Sequence, residues 1–162
     1  LSPARVGGTV VQSALKAQPP ENPTRVEAGT LNGPGIAGLG AALTWLDGQQ
    51  EEELRRREQS FVRRFYEGVR ELPGVTCYGD FEAPERCPIV SLNLGDWDSA
   101  AVSDELWTRF GMVTRAGLHC APLAHEALGT ARQGTVRFSF SHLNTEEEID
   151  RGIDAMRTLA ME

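Results

Sequence analysis

The chain has 162 residues, enough for one domain or one domain and a piece at about 150 residues each. Sixteen basic against 23 acidic residues give a net charge of −7, which argues against a nucleic-acid partner, since that needs a basic face for the phosphates. Hydrophobic content of 40% is enough for a packed core and too high for a disordered chain, and no apolar run approaches the roughly 18 residues of a membrane helix. The basic residues are 15 arginines and one lysine, Lys16. Any chemistry that needs a lysine must use Lys16 or find its lysine elsewhere. Three cysteines, Cys77, Cys87 and Cys120, with no secretory signal, fit a reducing, cytoplasmic compartment. Neither a CxxC pair nor a His/Cys cluster at metal-ligand spacing is present, so no metal site is expected.

Residues 1–40 are rich in glycine and proline and read as a connecting segment, the tail of a larger domain. Residues 41–162 read as a small α/β domain. A long helical pattern begins near Ile36 or Ala41. It carries Leu43, Leu46, Leu54, Phe61, Phe65, Val69 and Leu72 at steps of three, four or seven, with Gly48 as a candidate break. Glu51–Glu53 before Arg55–Arg57 offer i,i+4 pairs on its outer face. Pro73-Gly74 ends the run.

Val75–Tyr78 and Ile89–Leu94 carry strand signals. Residues 98–110 read as a helix closed by Gly111, and Met112–Arg115 as a short strand. Residues 116–134 read as loop with a short helix after Pro122. Thr135–Ser141 alternates, with Val136, Phe138 and Phe140 on one face and Arg137 on the other. Thr145 and Glu148 form a capping box before Ile149, Ile153, Met156 and Leu159, the apolar face of a last helix. This order predicts one sheet of short strands with helices packed on it.

Two segments carry chemistry. Arg115-Ala-Gly-Leu-His119-Cys120 is a loop directly after a short strand. An accessible Cys120 there would have its thiolate favoured by Arg115 and His119, whereas a buried Cys120 would be a packing residue. Arg137 offers a bidentate fork to a carboxylate, or is a solvent-facing or ion-paired residue. Glu27–Asn32, with Gly29 and Thr30, has residues suited to an anion, with a helix start beyond it. His125 and His142 read as a surface and a loop residue. Cys77 and Cys87 read as packing residues, and Trp45, Trp97 and Trp107 as core or boundary packing.

Six segments together resemble one family. They are Arg25-Val-Glu-Ala-Gly-Thr30-Leu-Asn32, Gly35-Ile-Ala-Gly-Leu-Gly-Ala-Ala-Leu43, Leu72-Pro-Gly-Val75, Thr114-Arg-Ala-Gly-Leu-His-Cys-Ala-Pro122, Thr135-Val-Arg-Phe-Ser139 and Asn144-Thr-Glu-Glu-Glu-Ile-Asp150. In this order and spacing they resemble the C-terminal part of the cysteine desulfurase and selenocysteine lyase group, class V aminotransferase-like enzymes of pyridoxal phosphate (PLP) fold type I. The resemblance implies that this chain is the tail of the large domain followed by the small C-terminal domain. It implies a nucleophilic Cys120 that becomes a persulfide, Arg137 on the substrate carboxylate, and Arg115 and His119 as supports. It also implies that Thr30, beside Gly29, reaches the PLP phosphate of the neighbouring subunit in a homodimer. L-cysteine, or a related amino acid, is the implied substrate, and a sulfur-acceptor protein an implied partner. Leu118 departs from the pattern, since many members carry a second histidine there; this leaves the subgroup open. The flanks of Lys16 do not match the family's PLP-binding lysine motif, so the chain alone is expected to be inactive. Another class V PLP enzyme (aminotransferase, epimerase or lyase) that does not use Cys120, and a non-catalytic module, are the alternatives.

Overall fold

The computed structural model describes residues 2–9, 11–12 and 14–162, which divide into two compact units, Leu1–Gln49 and Gln50–Glu162. The first unit is turns and bends up to one helix, α1 (Gly33–Asp47). Asn32 caps α1, its side-chain oxygen accepting from Gly35 N–H, and Pro34 stands in the first turn, where its missing N–H costs nothing. No residue of α1 is buried; Ile36, Leu39, Leu43, Trp45 and Leu46 are all exposed. The sequence reading of Leu43 and Leu46 as one buried face with the next helix does not hold, because the helical pattern breaks at Gly48 and only the second segment packs.

The second unit runs α2 (Glu51–Val69), β1 (Val75–Tyr78), β2 (Ile89–Leu94), α3 (Ser99–Phe110), α4 (Pro122–Ala127), β3 (Val136–Ser139) and α5 (Glu146–Ala160). The strands form an antiparallel sheet in the order β1-β2-β3. Period-2 alternation decides its faces. Pairing of Cys77 with Leu92, Leu92 with Val136 and Val90 with Phe138 puts these side chains on the core face. Pairing of Tyr78 with Ser91 and Ser91 with Arg137 puts a polar row on the other face.

Phe61, Phe65 and Val69 of α2 and Ile149, Ile153, Met156 and Leu159 of α5 close the core against the sheet, with Val102 and Leu106 of α3. Each fully buried Phe or Leu among them contributes about 1.5–3 kcal/mol. The Thr145–Glu148 capping box at α5 is present, as the sequence predicts. On the outer surface Arg55 pairs with Glu51, and Arg64 clamps α2 to α5 through Asp150 and Glu146. Among the described residues no helix is long and apolar enough to cross a membrane.

Several sequence expectations are corrected here. Cys87 is exposed, because it follows the loop 79–86 and precedes β2 rather than lying in it. Trp45, Trp97 and Trp107 are exposed as well. His125 is buried, because α4 turns it inward, where its Nδ1 lies 2.7 Å from the buried Thr130 Oγ1. Met112–Thr114 form no strand among the described residues; Arg115 makes a β-bridge with Arg137.

Candidate active site

Arg115 and Gly117, at the base of the loop that carries His119 and Cys120, are held against β3 by a short ladder. Arg115 and Arg137 exchange both backbone hydrogen bonds, at 3.2 and 2.8 Å, and Gly117 and Thr135 exchange two more at 3.1 Å. The segment 115–117 thus acts as a fourth strand on the outer edge of β3. Two features fix it there. Gly117 takes a positive φ of 98°, and Gly134, at φ 68°, lies so close that a Cβ on it would sit 2.7 Å from Gly117 Cα.

Beyond Gly117 the chain turns through two successive left-handed residues that are not glycine, His119 at φ 53° and Cys120 at φ 59°. Such conformations persist only where the surroundings enforce them and collect at functional sites. They present Cys120 at the surface, with its Sγ 4.0 Å from a guanidinium nitrogen of Arg115. Cys77 is the contrast: half-buried against the core, its thiol is pushed up to about 11 by burial.

Arg137 occupies the polar face of β3. Its Nε is buried and donates to no acceptor, and it makes no ion pair among the described residues. A buried guanidinium donor without an acceptor is costly, and a carboxylate is the group whose two oxygens match the fork. His119 lies beside it. Its Nε2 is 3.2 Å from Thr135 Oγ1, while its Nδ1 is buried and without a partner. Burial holds the His119 imidazole below the ordinary histidine value, and the Arg137, Arg115 and His125 charges add to this. His119 is therefore neutral near pH 7 and can accept a proton.

Arg115, His119, Cys120 and Arg137 thus come together in the second unit. Gly29 and Thr30 belong to the first unit. Gly29, at φ 84°, donates its N–H to Gly8 O at 2.6 Å, so that donor is already engaged. The first N–H groups of α1 are engaged too, Gly33 to Leu31 O, Gly35 to the Asn32 side chain and Ile36 to Asn32 O. Contrary to the sequence expectation, the N–H groups of Gly33, Gly35 and Ile36 at the start of α1 are not free for an anion; Thr30 is exposed.

Sequence reasoning missed Thr135, whose position two residues before Arg137 puts it on the same strand face. It also missed Asn93, which is buried on β2 two residues from Ser91 and hydrogen-bonded to Gln133. The alternation that found Arg137 would have found both. A cleft of about 890 Å³ between α2 and residues 81–88 holds none of the candidate residues. Chemistry follows the convergent polar groups and not the cleft volume. No group of three His, Cys, Asp or Glu suited to a metal occurs among the described residues.

The site, the fold and the sequence converge on one class. A family model for aminotransferase class-V matches residues 1–151, and the chain belongs to that family. Within it, a cysteine desulfurase of Pectobacterium carotovorum is 34% identical over 139 residues, covering 86% of this chain and 33% of its own length. The apo cysteine desulfurase of Thermococcus onnurineus superimposes over 98% of this chain and 39% of its own, with a TM-score of 0.81 at 30% identity. A cystine C–S lyase, solved with glycine covalently linked to its PLP cofactor, shares the fold over 96% of this chain and 37% of its own, with a TM-score of 0.67 at 23% identity. The chain spans about a third of the length of the curated relatives it matches.

The residues present fit part of a PLP site. The unpaired Arg137 Nε suits a substrate carboxylate, and Cys120 supplies an accessible thiol. No lysine occurs in the second unit, and Lys16 is exposed in the first. The covalent anchor of the cofactor is therefore not among the residues that fit.

Proposed function

We propose that this chain is the C-terminal portion of a PLP-dependent cysteine desulfurase, which takes sulfur from L-cysteine, releases alanine and holds the sulfur as a persulfide on Cys120. Residues 1–40 are the tail of its large domain and residues 41–162 its small domain. The observation that carries this reading is the exposed Cys120 thiol, 4.0 Å from the Arg115 guanidinium, on a loop laddered to the strand that bears the unpaired Arg137.

When bound, PLP supplies the electron sink that lets the substrate's carbon–sulfur bond break. Arg137 takes the substrate carboxylate in its fork and fixes the substrate's orientation. The Arg115 guanidinium lies 4.0 Å from the Cys120 sulfur. The thiolate attacks the substrate sulfur, so that a sulfur–sulfur bond forms as the carbon–sulfur bond breaks. The electron pair passes to the substrate carbon, which is protonated to give alanine. His119, neutral at working pH, is available to carry a proton at this site. Exposure of Cys120 lets the persulfide then be handed to a sulfur-acceptor protein. Thr30, beside Gly29, reaches the cofactor phosphate of a second subunit in a homodimer. Three free cysteines suit a cytoplasmic location.

The test is alanine release from L-cysteine by the full-length protein, with dithiothreitol present to clear the persulfide. Cys120→Ala is expected to abolish turnover and leave the PLP absorbance unchanged. Turnover unchanged in Cys120→Ala overturns the assignment and favours a class V enzyme that works without this thiol.

A further inference from the structure

The loop that presents Cys120 holds two adjacent non-glycine residues in the left-handed region, and these relax unless something holds them. The backbone ladder through Arg115 and Gly117 anchors the loop up to Gly117, and the strained pair itself is spanned by one backbone bond, Ala121 N–H to Leu118 O at 2.9 Å. Both side chains of the strained pair reach back to the fold: Cys120 Sγ lies 4.0 Å from the exposed Arg115 guanidinium, and His119 Nε2 lies 3.2 Å from the buried Thr135 Oγ1. Thr135 is the fixed end. It is 2% exposed, and its N–H and C=O are both engaged with Gly117.

The tether has a direction. His119 Nδ1 is buried without a partner, and an orphaned buried N–H is costlier than an orphaned lone pair. The hydrogen therefore sits on Nε2 and is donated to Thr135 Oγ1, and Nδ1 keeps its lone pair. The groups facing His119 are Arg115, Arg137 and His125. None is an acid that would pull a proton onto Nδ1.

We propose that Thr135 is a positioning residue for Cys120, acting through His119: its buried hydroxyl pins the imidazole, the pinned imidazole holds the left-handed turn, and the turn keeps the thiol beside Arg115. The proposal deepens the desulfurase reading, but its test does not depend on turnover. The test is the rate of Cys120 alkylation by iodoacetamide across pH, measured by peptide mass spectrometry in the 162-residue chain, with Cys87 as internal control. Thr135→Val keeps the shape and the β-propensity and removes the hydroxyl. It is expected to slow Cys120 alkylation near neutral pH about fivefold, the population shift that one lost hydrogen bond carries, and to leave Cys87 unchanged. Thr135→Ser restores the rate. His119→Phe slows it as much as Thr135→Val, and the double variant is no slower than either single one. Wild-type alkylation and pH profile in His119→Phe, or additive effects in the double variant, overturn the proposal. So does failure of Thr135→Ser to restore the rate. If Thr135→Val does not fold, the His119→Phe rate and the Thr135→Ser rate decide alone. Loss of desulfurase turnover with these rates intact would sink the functional reading and leave the positioning role standing.

Discussion

Arg115 and Arg137 stand directly opposite each other across an antiparallel bridge, exchanging backbone hydrogen bonds at 3.2 and 2.8 Å. Cross-strand partners share a face, so two guanidinium side chains leave neighbouring backbones on the same side of the sheet. Like charges so placed repel, and a fold keeps such a pair where an anion completes it. The Arg137 Nε is buried and donates to no acceptor, so it has a free donor to give an anion.

Anion binding should therefore stabilise the chain. Acetate at about ten times its dissociation constant is expected to add about 1.4 kcal/mol of stability, read as a rise in Tm. Arg137→Gln is expected to lose this rise at the same acetate concentration. An equal rise in both proteins would show that the effect is not a site at Arg137.

The His119 imidazole gives a pH dependence with a fixed sign. Burial holds its pKa in the folded protein below the unfolded value. As pH falls, the unfolded chain takes up the proton first. The stability that neutral His119 confers is thus fully present above the unfolded value of about 6.5 and is lost as pH falls through the folded value. Urea midpoints of the wild type and His119→Gln, compared from about pH 8 to about pH 5, are expected to converge on the acid side. A constant difference across that range would contradict the burial of His119.

Close approach at the base of the site predicts a large effect from one methyl group. Gly134 is at φ 68°, and a Cβ there would meet Gly117 Cα at 2.7 Å and Ser99 Oγ at 2.8 Å. Gly134→Ala is expected to destabilise the fold by about 2–4 kcal/mol in urea titration, through left-handed strain and overpacking together. A change below about 0.5 kcal/mol would mean that the 117–135 ladder is not held as described.

Periodic elements were legible in the sequence because burial is written into their spacing. Phe61, Phe65 and Val69 on α2, the apolar stripe of α5 with its capping box, and Arg137 opposite Val136 and Phe138 all follow from period 3.6 or 2. Features fixed by single long-range contacts were not. The bridge of Arg115 to Arg137 involves too few residues to alternate. Burial of His125 depends on Thr130 returning from the next turn, and the tether of His119 depends on Thr135 sixteen residues away. The apolar pattern of α1 suggests burial, yet among the described residues Leu43 and Leu46 stay about half exposed. The sequence presents Cys120 and Arg137 separately, as a thiol on a loop and a cation on a strand; the ladder of Arg115 and Gly117 ties that loop to that strand.

The central claim is that Cys120 carries the sulfur, and a direct measurement is the mass of its peptide. The full-length protein, loaded with PLP and given L-cysteine without reductant, is digested and analysed by mass spectrometry. One added sulfur atom is expected on the Cys120 peptide and none on the Cys77 or Cys87 peptides. Alanine formation with no added sulfur on Cys120 would contradict it.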